Sequence, residues 1–189
     1  MRRSIFLISL LLVLLSPCAL ARPDAPVSAK VIAVIDGDTL LLMPLNASRA
    51  SPRFYKLRLA DIDAPELGQP FGLESKRDLA GLVLHQQVRV VTVATDRYGR
   101  RIGWISFAGP TNTGVDINTE LVERGDAWAS SRSRGAAHLV TIQQHAQRTR
   151  RGLWAEEDAT PPWVWRKQAA LRETHPASTS KSLPLPLRN

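Results

Sequence analysis

Alternating apolar and polar positions predict that the first part of this chain forms β-strands. The run from Val27 to Ile35 is rich in β-branched side chains and leads into Asp36-Gly37, a typical turn sequence. From Phe54 to Ala60, side chains of opposite character alternate with a period of two, as in a strand with one buried face. The predicted strands are residues 27–35, 39–43, 54–60, 88–95 and 101–107, the last two joined as a hairpin.

Apolar positions at helical spacing predict three helices. The first covers residues 74–85, where apolar side chains recur three and four positions apart. Asn118 is a candidate N-cap for a second helix that ends at Gly125, and residues 136–151 form the third. The prolines of residues 161–166 are expected to break any helix, and the tryptophans there to pack back on the body.

Five strands with a helix between the third and the fourth predict an α+β fold, a small five-stranded β-barrel that carries three helices. The order of elements matches an OB-fold, whose barrel commonly binds oligonucleotides. We expect one domain at residues 27–172, which includes a Trp-rich C-terminal extension. A linker at residues 22–26 precedes it, and a disordered tail rich in Ser, Thr and Pro follows at residues 173–189.

The first 21 residues have the layout of a secretory signal peptide. Arg2 and Arg3 precede an apolar run at residues 5–15, and Ala19-Leu20-Ala21 forms a cleavage site. The run is shorter than the roughly 20 residues of a spanning helix, so an uncleaved membrane anchor is the alternative reading, as is a lipoprotein attached through Cys18. We expect a mature chain in the periplasm or the medium, monomeric and without stable membrane association. Cleavage removes the chain's single cysteine and with it any disulfide or thiol chemistry.

The charge of the chain indicates a polyanionic partner. The formal net charge is +8, and loss of Arg2 and Arg3 with the signal leaves +6. A basic, arginine-rich surface attracts nucleic acid most often. An anionic membrane surface is less favoured, because the sequence has no long amphipathic basic helix.

Three short motifs supply the groups that phosphodiester hydrolysis requires. Two carboxylates offer hard oxygen ligands for a cation, a third is free to act as a base, and two guanidinium groups can stabilise the negative charge that develops. Oxygen ligands suit Ca²⁺ or Mg²⁺, and no His/Cys cluster indicates zinc. Taken singly, the aspartates also fit turn or strand-end roles. The motifs are Ile35-Asp36-Gly37-Asp38-Thr39, Arg58-Leu59 with Ile62-Asp63-Ala64-Pro65-Glu66, and Asp96-Arg97-Tyr98-Gly99-Arg100.

With these motifs in this order, the chain resembles the staphylococcal-nuclease-like, or thermonuclease, family from about Val27 to Ala155. The resemblance implies a five-stranded OB-type barrel with three helices. It also implies an endonuclease that cleaves DNA and RNA, leaves 3′-phosphate ends and depends on Ca²⁺, with Mg²⁺ the less favoured cation. The site residues it implies are Asp38, Asp63 and the Ala64 carbonyl for the cation, Arg58, Glu66 and Arg100 for catalysis, and Tyr98 beside the nucleotide.

The chain departs from the family pattern at two places. Well-studied members carry tyrosines that flank the substrate base where this chain has Ser131 and Ser133, which reduces the stacking surface and leaves Trp128 as a candidate substitute. Family members often have Gly at the position of Asp61. The alternative functions are a catalytically silent OB-fold nucleic-acid-binding module and, more distantly, a secreted calcium-binding structural protein.

Overall fold

Seven β-strands and four α-helices make up the described part of this computed structural model, residues 25–46, 54–107, 114, 116–130 and 137–174. Within these ranges, no helix combines the length and the apolar character needed to cross a membrane. The strands are β1 (Val27–Asp36), β2 (Thr39–Pro44), β3 (Tyr55–Leu59), β4 (Ile62–Asp63), β5 (Gln87–Thr95), β6 (Arg101–Phe107) and β7 (Trp128–Ala129). The helices are α1 (Gly72–Val83), α2 (Ile117–Arg124), α3 (Ala137–Arg148) and α4 (Pro162–Thr174), with a short 3-10 helix at Gly152–Ala155. The predicted signal peptide, Ser131, Ser133 and the tail beyond Thr174 lie outside the described residues.

Five of the strands close into a barrel in the order β1-β2-β3-β6-β5. β3 and β6 run parallel, with Arg58 opposite Ile102, and the other neighbours pair antiparallel. β5 returns to β1 through pairs such as Val27 with Val90, which completes the closure. The predicted α+β architecture, a five-stranded barrel of OB type, is therefore confirmed.

Alternation along the strands places one face of each in the barrel interior. On β2, Leu40 and Leu42 are fully buried, whereas the residues after each of them are partly exposed. α1 packs against β1 and buries Leu79 and Val83, which lie four residues apart on one helix face. Full burial of each such side chain contributes about 1.5–3 kcal/mol. The buried side chains of the core therefore occupy the positions that the apolar periodicity of the sequence indicates.

The N-terminus of α2 differs from the prediction. Asp116 is the N-cap, and its carboxylate accepts a hydrogen bond from the Thr119 N–H at 2.8 Å. Asn118 is instead fully buried, where its side chain accepts from the Ile105 N–H at 3.2 Å and donates to the Ala60 carbonyl at 2.9 Å. The cap prediction for Asn118 is wrong because Asp and Asn serve equally well as caps and the sequence does not show which one faces the core. Asn118 ties α2 to the end of β3.

Helix α4 adds a fourth helix to the three that were predicted. It begins at Pro162, within the segment expected to break helices. At the first helical position a proline loses no hydrogen bond, because the N–H there has no intrahelical acceptor in any case. The helix continues to Thr174, two residues past the predicted end of the domain.

A buried acid follows α2. Asp126 donates its N–H to the Leu121 carbonyl at 2.8 Å, while its Oδ2 has no hydrogen-bond partner in the described part of the chain. Burial, together with the nearby carboxylate of Asp78 on α1, raises the pKa of Asp126 to about 7. Ionisation of this group therefore opposes folding at neutral pH.

Candidate active site

The seven residues selected from the sequence all line one cleft of about 420 Å³. The cleft wall contains four carboxylates and four guanidinium groups, so it is formally neutral when every group is charged. The three motifs, distant in sequence, therefore meet in space, while the chemical role of each residue stays a prediction. The lining residues beyond the predicted seven are Asp36, Thr39, Pro65, Arg97 and Arg166.

Asp38 lies on the turn between β1 and β2 and is almost completely buried. Its N–H donates to the Asp36 carboxylate at 3.0 Å, and its own carboxylate accepts from the Ala64 N–H at 2.7 Å and the Thr39 hydroxyl at 3.2 Å. Burial raises the pKa of Asp38 to about 7, although Arg58 acts in the opposite direction. This carboxylate therefore sits where a further positive charge would be favourable.

Gly37 lets this turn lie directly against its neighbours. A Cβ at Gly37 would overlap the Ser75 hydroxyl on α1 and lie 2.7 Å from the Ala64 Cβ. Real Cβ atoms do not approach other atoms so closely, so any larger residue would displace α1 or the segment after β4. The Asp-Gly-Asp sequence thus positions Asp38 as well as forming a turn.

Arg58 connects the two aspartates predicted to hold a cation. From β3, its Nη1 lies 2.5 Å from Asp38 Oδ2 and its Nη2 lies 2.8 Å from Asp63 Oδ1. The Arg58 side chain is 19% exposed, so both ion pairs form in a largely dry environment, and the contact with Asp63 is also a hydrogen bond. One guanidinium therefore contacts both carboxylates.

Asp63 comes from the two-residue strand β4, which pairs with β7 outside the barrel. In that pairing Asp63 lies opposite Trp128. Asp61, two residues earlier, has a φ of +63° in the left-handed region, and its carbonyl accepts from the Ser130 N–H at 2.8 Å. Asp tolerates this conformation and Gly adopts it without strain. The departure from Gly at this position therefore preserves the turn that delivers Asp63.

Glu66 pairs with an arginine that the sequence analysis did not select. Arg166 of α4 places Nη1 2.6 Å from Glu66 Oε1, and its Nη1 and Nη2 lie 3.2 and 2.7 Å from the two carboxylate oxygens of Asp63. The sequence analysis does not select Arg166 because it expects residues 161–166 to break helices. The signal is that Trp163 and Arg166 are three apart, which places them on one face only if a helix begins at Pro162.

The turn between β5 and β6 supplies Arg100 and Tyr98. The Asp96 carboxylate accepts the backbone N–H groups of both residues at 2.9 Å and the Arg100 Nε–H at 2.7 Å. Tyr98 is 74% exposed, and the guanidinium carbons of Arg97 and Arg100 lie 5.5 and 5.8 Å from its ring centre. Arg100 is therefore oriented by its own turn, and the Tyr98 ring is available to solvent.

Trp128 is partly exposed and packs against two other tryptophans. Its ring meets Trp154 edge-on at 4.3 Å and Trp163 edge-on at 5.6 Å between ring centres. These contacts fix β7, the 3-10 helix and α4 together. The suggestion that Trp128 replaces the stacking tyrosines stays a prediction.

Comparison with known proteins identifies the family of this chain. Residues 56–156 match the family described as staphylococcal nuclease homologue. A relative named micrococcal nuclease, from Shigella flexneri, is 36% identical over 145 residues, which is 73% of this chain and 79% of the relative. A relative named uncharacterized endonuclease, from Haemophilus influenzae, is 34% identical over 185 residues, 94% of this chain and 96% of the relative. The matched region contains the Arg58-to-Glu66 segment and the Arg100 turn, and the chain belongs to the staphylococcal nuclease family.

Proposed function

We propose that this protein is a Ca²⁺-dependent endonuclease that hydrolyses phosphodiester bonds of DNA and RNA and leaves 3′-phosphate ends. Membership of the family makes the chain a nuclease, and the cation, the substrates and the products are the proposal. The observation that carries it is the convergence of two aspartates, Glu66 and several arginines in one cleft. A module that only binds nucleic acid has no chemical need for this complete set.

The residues present fit a hard divalent cation. Asp38 and Asp63 converge on Arg58, and Ala64 is held against Asp38 through its N–H. In the described ranges no three His, Cys, Asp or Glu side chains form a metal cluster by themselves. The Ala64 carbonyl, water and a substrate phosphate would thus complete the coordination, as oxygen-rich Ca²⁺ sites allow. When bound there, the cation supplies positive charge to the phosphate oxygens.

The chain's own groups divide the remaining chemistry. Glu66 accepts a proton from water as the oxygen of that water forms a bond to phosphorus. Arg58 pairs with the non-bridging phosphate oxygens, whose negative charge it offsets. Arg100 would stabilise the 5′-oxygen, which leaves with the electrons of the broken P–O bond and takes up a proton from solvent water. The 3′-oxygen stays on phosphorus, so the product carries a 3′-phosphate.

Cleavage assays with matched variants test this function. Single-stranded DNA, duplex DNA and RNA are incubated with Ca²⁺, Mg²⁺ or a chelator, and the new ends are identified by mass spectrometry. We expect Ca²⁺-dependent cleavage that falls at least about 100-fold in Glu66→Gln, within the range for loss of a general base. Glu74→Gln, an exposed acid on α1, serves as the control with unchanged activity. Binding without cleavage under every metal would favour the silent module, and cleavage in chelator would exclude the metal mechanism.

We also propose that the mature enzyme acts outside the cytoplasm. The support is the sequence of residues 1–21, with two arginines, an apolar run and a small-residue cleavage site. Expression of the full chain and mass measurement of the product tests this. A mature N-terminus at Arg22 in the periplasm or the medium is the expected result, whereas an intact Met1 on a membrane-bound product would support the uncleaved anchor.

A further inference from the structure

Helix α4 holds Arg166 at the cleft through two separate attachments. Trp163 packs edge-on against Trp128, which is itself paired with Asp63 across β4 and β7. Before the helix, the Thr160 carbonyl accepts from the buried side chain of Gln69. The same Gln69 side chain accepts the N–H of Glu66 at 3.2 Å. Arg166 lies one helical turn after Trp163, on the face toward Asp63, so its position is built by the fold.

Arg166 uses the same oxygen atoms that the proposed cation needs. Both oxygens of Asp63 already accept hydrogen bonds, Oδ1 from Arg58 and Arg166 and Oδ2 from Arg166. A cation in contact with this carboxylate shares its oxygens with Arg166 and repels the guanidinium. Arg166 also pairs with Glu66, so the carboxylate that is predicted to receive a proton already forms an ion pair. Metal and Arg166 therefore compete.

Displacement of Arg166 requires no movement of α4. Its side chain is 43% exposed and that of Glu66 is 42% exposed, so solvent already reaches the pair. A long arginine side chain can pivot about its stem while the helix stays anchored. The cleft it lines is formally neutral when every group including Arg166 is charged, and a divalent cation would make it positive. A guanidinium released inside a positive cleft pairs best with an incoming anion.

We propose that Arg166 is a phosphate-binding residue that the divalent cation releases. It holds Asp63 and Glu66 in the resting site, gives up Asp63 when the cation binds, and then pairs with the substrate phosphodiester. This inference rests on the proposed cation site at Asp38 and Asp63. It assigns a binding role to the helix that follows the region matched by the family, residues 56–156.

Two titrations of the full-length protein give opposite signs for the same substitution. Calorimetric titration with Ca²⁺ alone should show that Arg166→Ala tightens binding about fivefold, the value of an ion pair near 1 kcal/mol. Titration with a nucleoside 3′,5′-bisphosphate at saturating Ca²⁺ should show that the same variant binds about tenfold more weakly, as expected for a lost charged hydrogen bond. Arg166→Lys keeps the positive charge but lacks the two parallel N–H donors of the guanidinium group. Its affinity should lie between those of the wild type and Arg166→Ala in both titrations.

Lys167→Ala is the matched control. It removes one positive charge from the next, exposed position of α4 and is not part of the cleft lining. Both affinities should change less than about twofold, since exposed charges are screened. An equal effect of Lys167→Ala and Arg166→Ala would show that general electrostatics, rather than a specific contact, is responsible, and would overturn the proposal.

The remaining outcomes separate this inference from the proposed function. Asp38→Asn does not touch Arg166, so unchanged Ca²⁺ binding in that variant rejects the proposed cation site itself. If Asp38→Asn loses Ca²⁺ but Arg166→Ala binds it as the wild type does or more weakly, the cation site stands and the competition is wrong. If Arg166→Ala tightens binding of both Ca²⁺ and the bisphosphate, Arg166 blocks both ligands and its role as a phosphate ligand is refuted.

Discussion

Replacement of Asn118 by alanine should destabilise the protein more than removal of the actual helix cap. The side chain is fully buried and bonds the Ile105 N–H and the carbonyls of Ala60 and Gly103. The Gly103 carbonyl keeps a second bond, from the Ala60 N–H at 2.8 Å. Two buried groups thus lose their side-chain partner, at about 1–3 kcal/mol for each group left unpaired. The expected loss in the free energy of unfolding is about 2–4 kcal/mol.

Asp116→Ala provides the comparison. Loss of an N-cap costs about 1 kcal/mol, and Asp116 is partly exposed, so water can replace its bond to Thr119. Urea unfolding of both variants and the wild type at one pH gives the two differences directly, provided that the slope m stays constant. We expect the free energy of unfolding of Asn118→Ala to be well below that of Asp116→Ala. If Asp116→Ala costs as much as Asn118→Ala, or Asn118→Ala costs less than about 1 kcal/mol, the hydrogen bonds of buried Asn118 do not stabilise α2 more than its cap does.

Three other predictions concern the turns and the buried acid. In urea unfolding, Asp126→Asn should stabilise the fold by about 1–3 kcal/mol at pH 8 and by less at pH 5. The reason is that the pKa of Asp126 is raised to about 7 in the folded protein, so the stability of the wild type falls as pH rises from about 4 through 7. Gly37→Ala should lower both melting temperature and cleavage rate, whereas Gly81→Ala, with open space around its Cβ, should raise the melting temperature slightly. Asp96→Ala should lower kcat by about three- to tenfold through loss of one oriented hydrogen bond, less than Arg100→Ala does in the same kinetic assay.

The elements that the sequence predicts well are those whose side chains repeat with a regular period. The strands of the barrel and α1 follow such patterns, and their buried faces carry Leu40, Leu57 and Leu79. The residues that line the cleft could also be selected, because three motifs carry acids and arginines together and resemble those of a known family. The pairing of β3 with β6 could not be read from any local pattern, since it joins residues 57–59 to 101–103. Parallel pairing of distant strands depends on the whole fold.

The role of individual polar residues near element ends was the hardest to predict. Asp116 and Asn118 both fit a helix cap, and only tertiary contacts show that Asn118 faces inward. Pro162 fits both the end and the start of a helix, so Arg166 was not connected to Asp63 at a separation of 103 residues. In each case the local sequence fits two structures, and only the tertiary contacts distinguish them.

The parallel contact between β3 and β6 has a consequence for how the cleft comes into existence during folding. Arg58 lies on one of these strands and Arg100 immediately precedes the other, so the pair meets only when the barrel shuts. Contacts of long sequence separation form slowly and late. A chain in which β3 and β6 have not yet paired therefore lacks the assembled cleft, and the nuclease gains its full set of cleft residues only on completing the barrel.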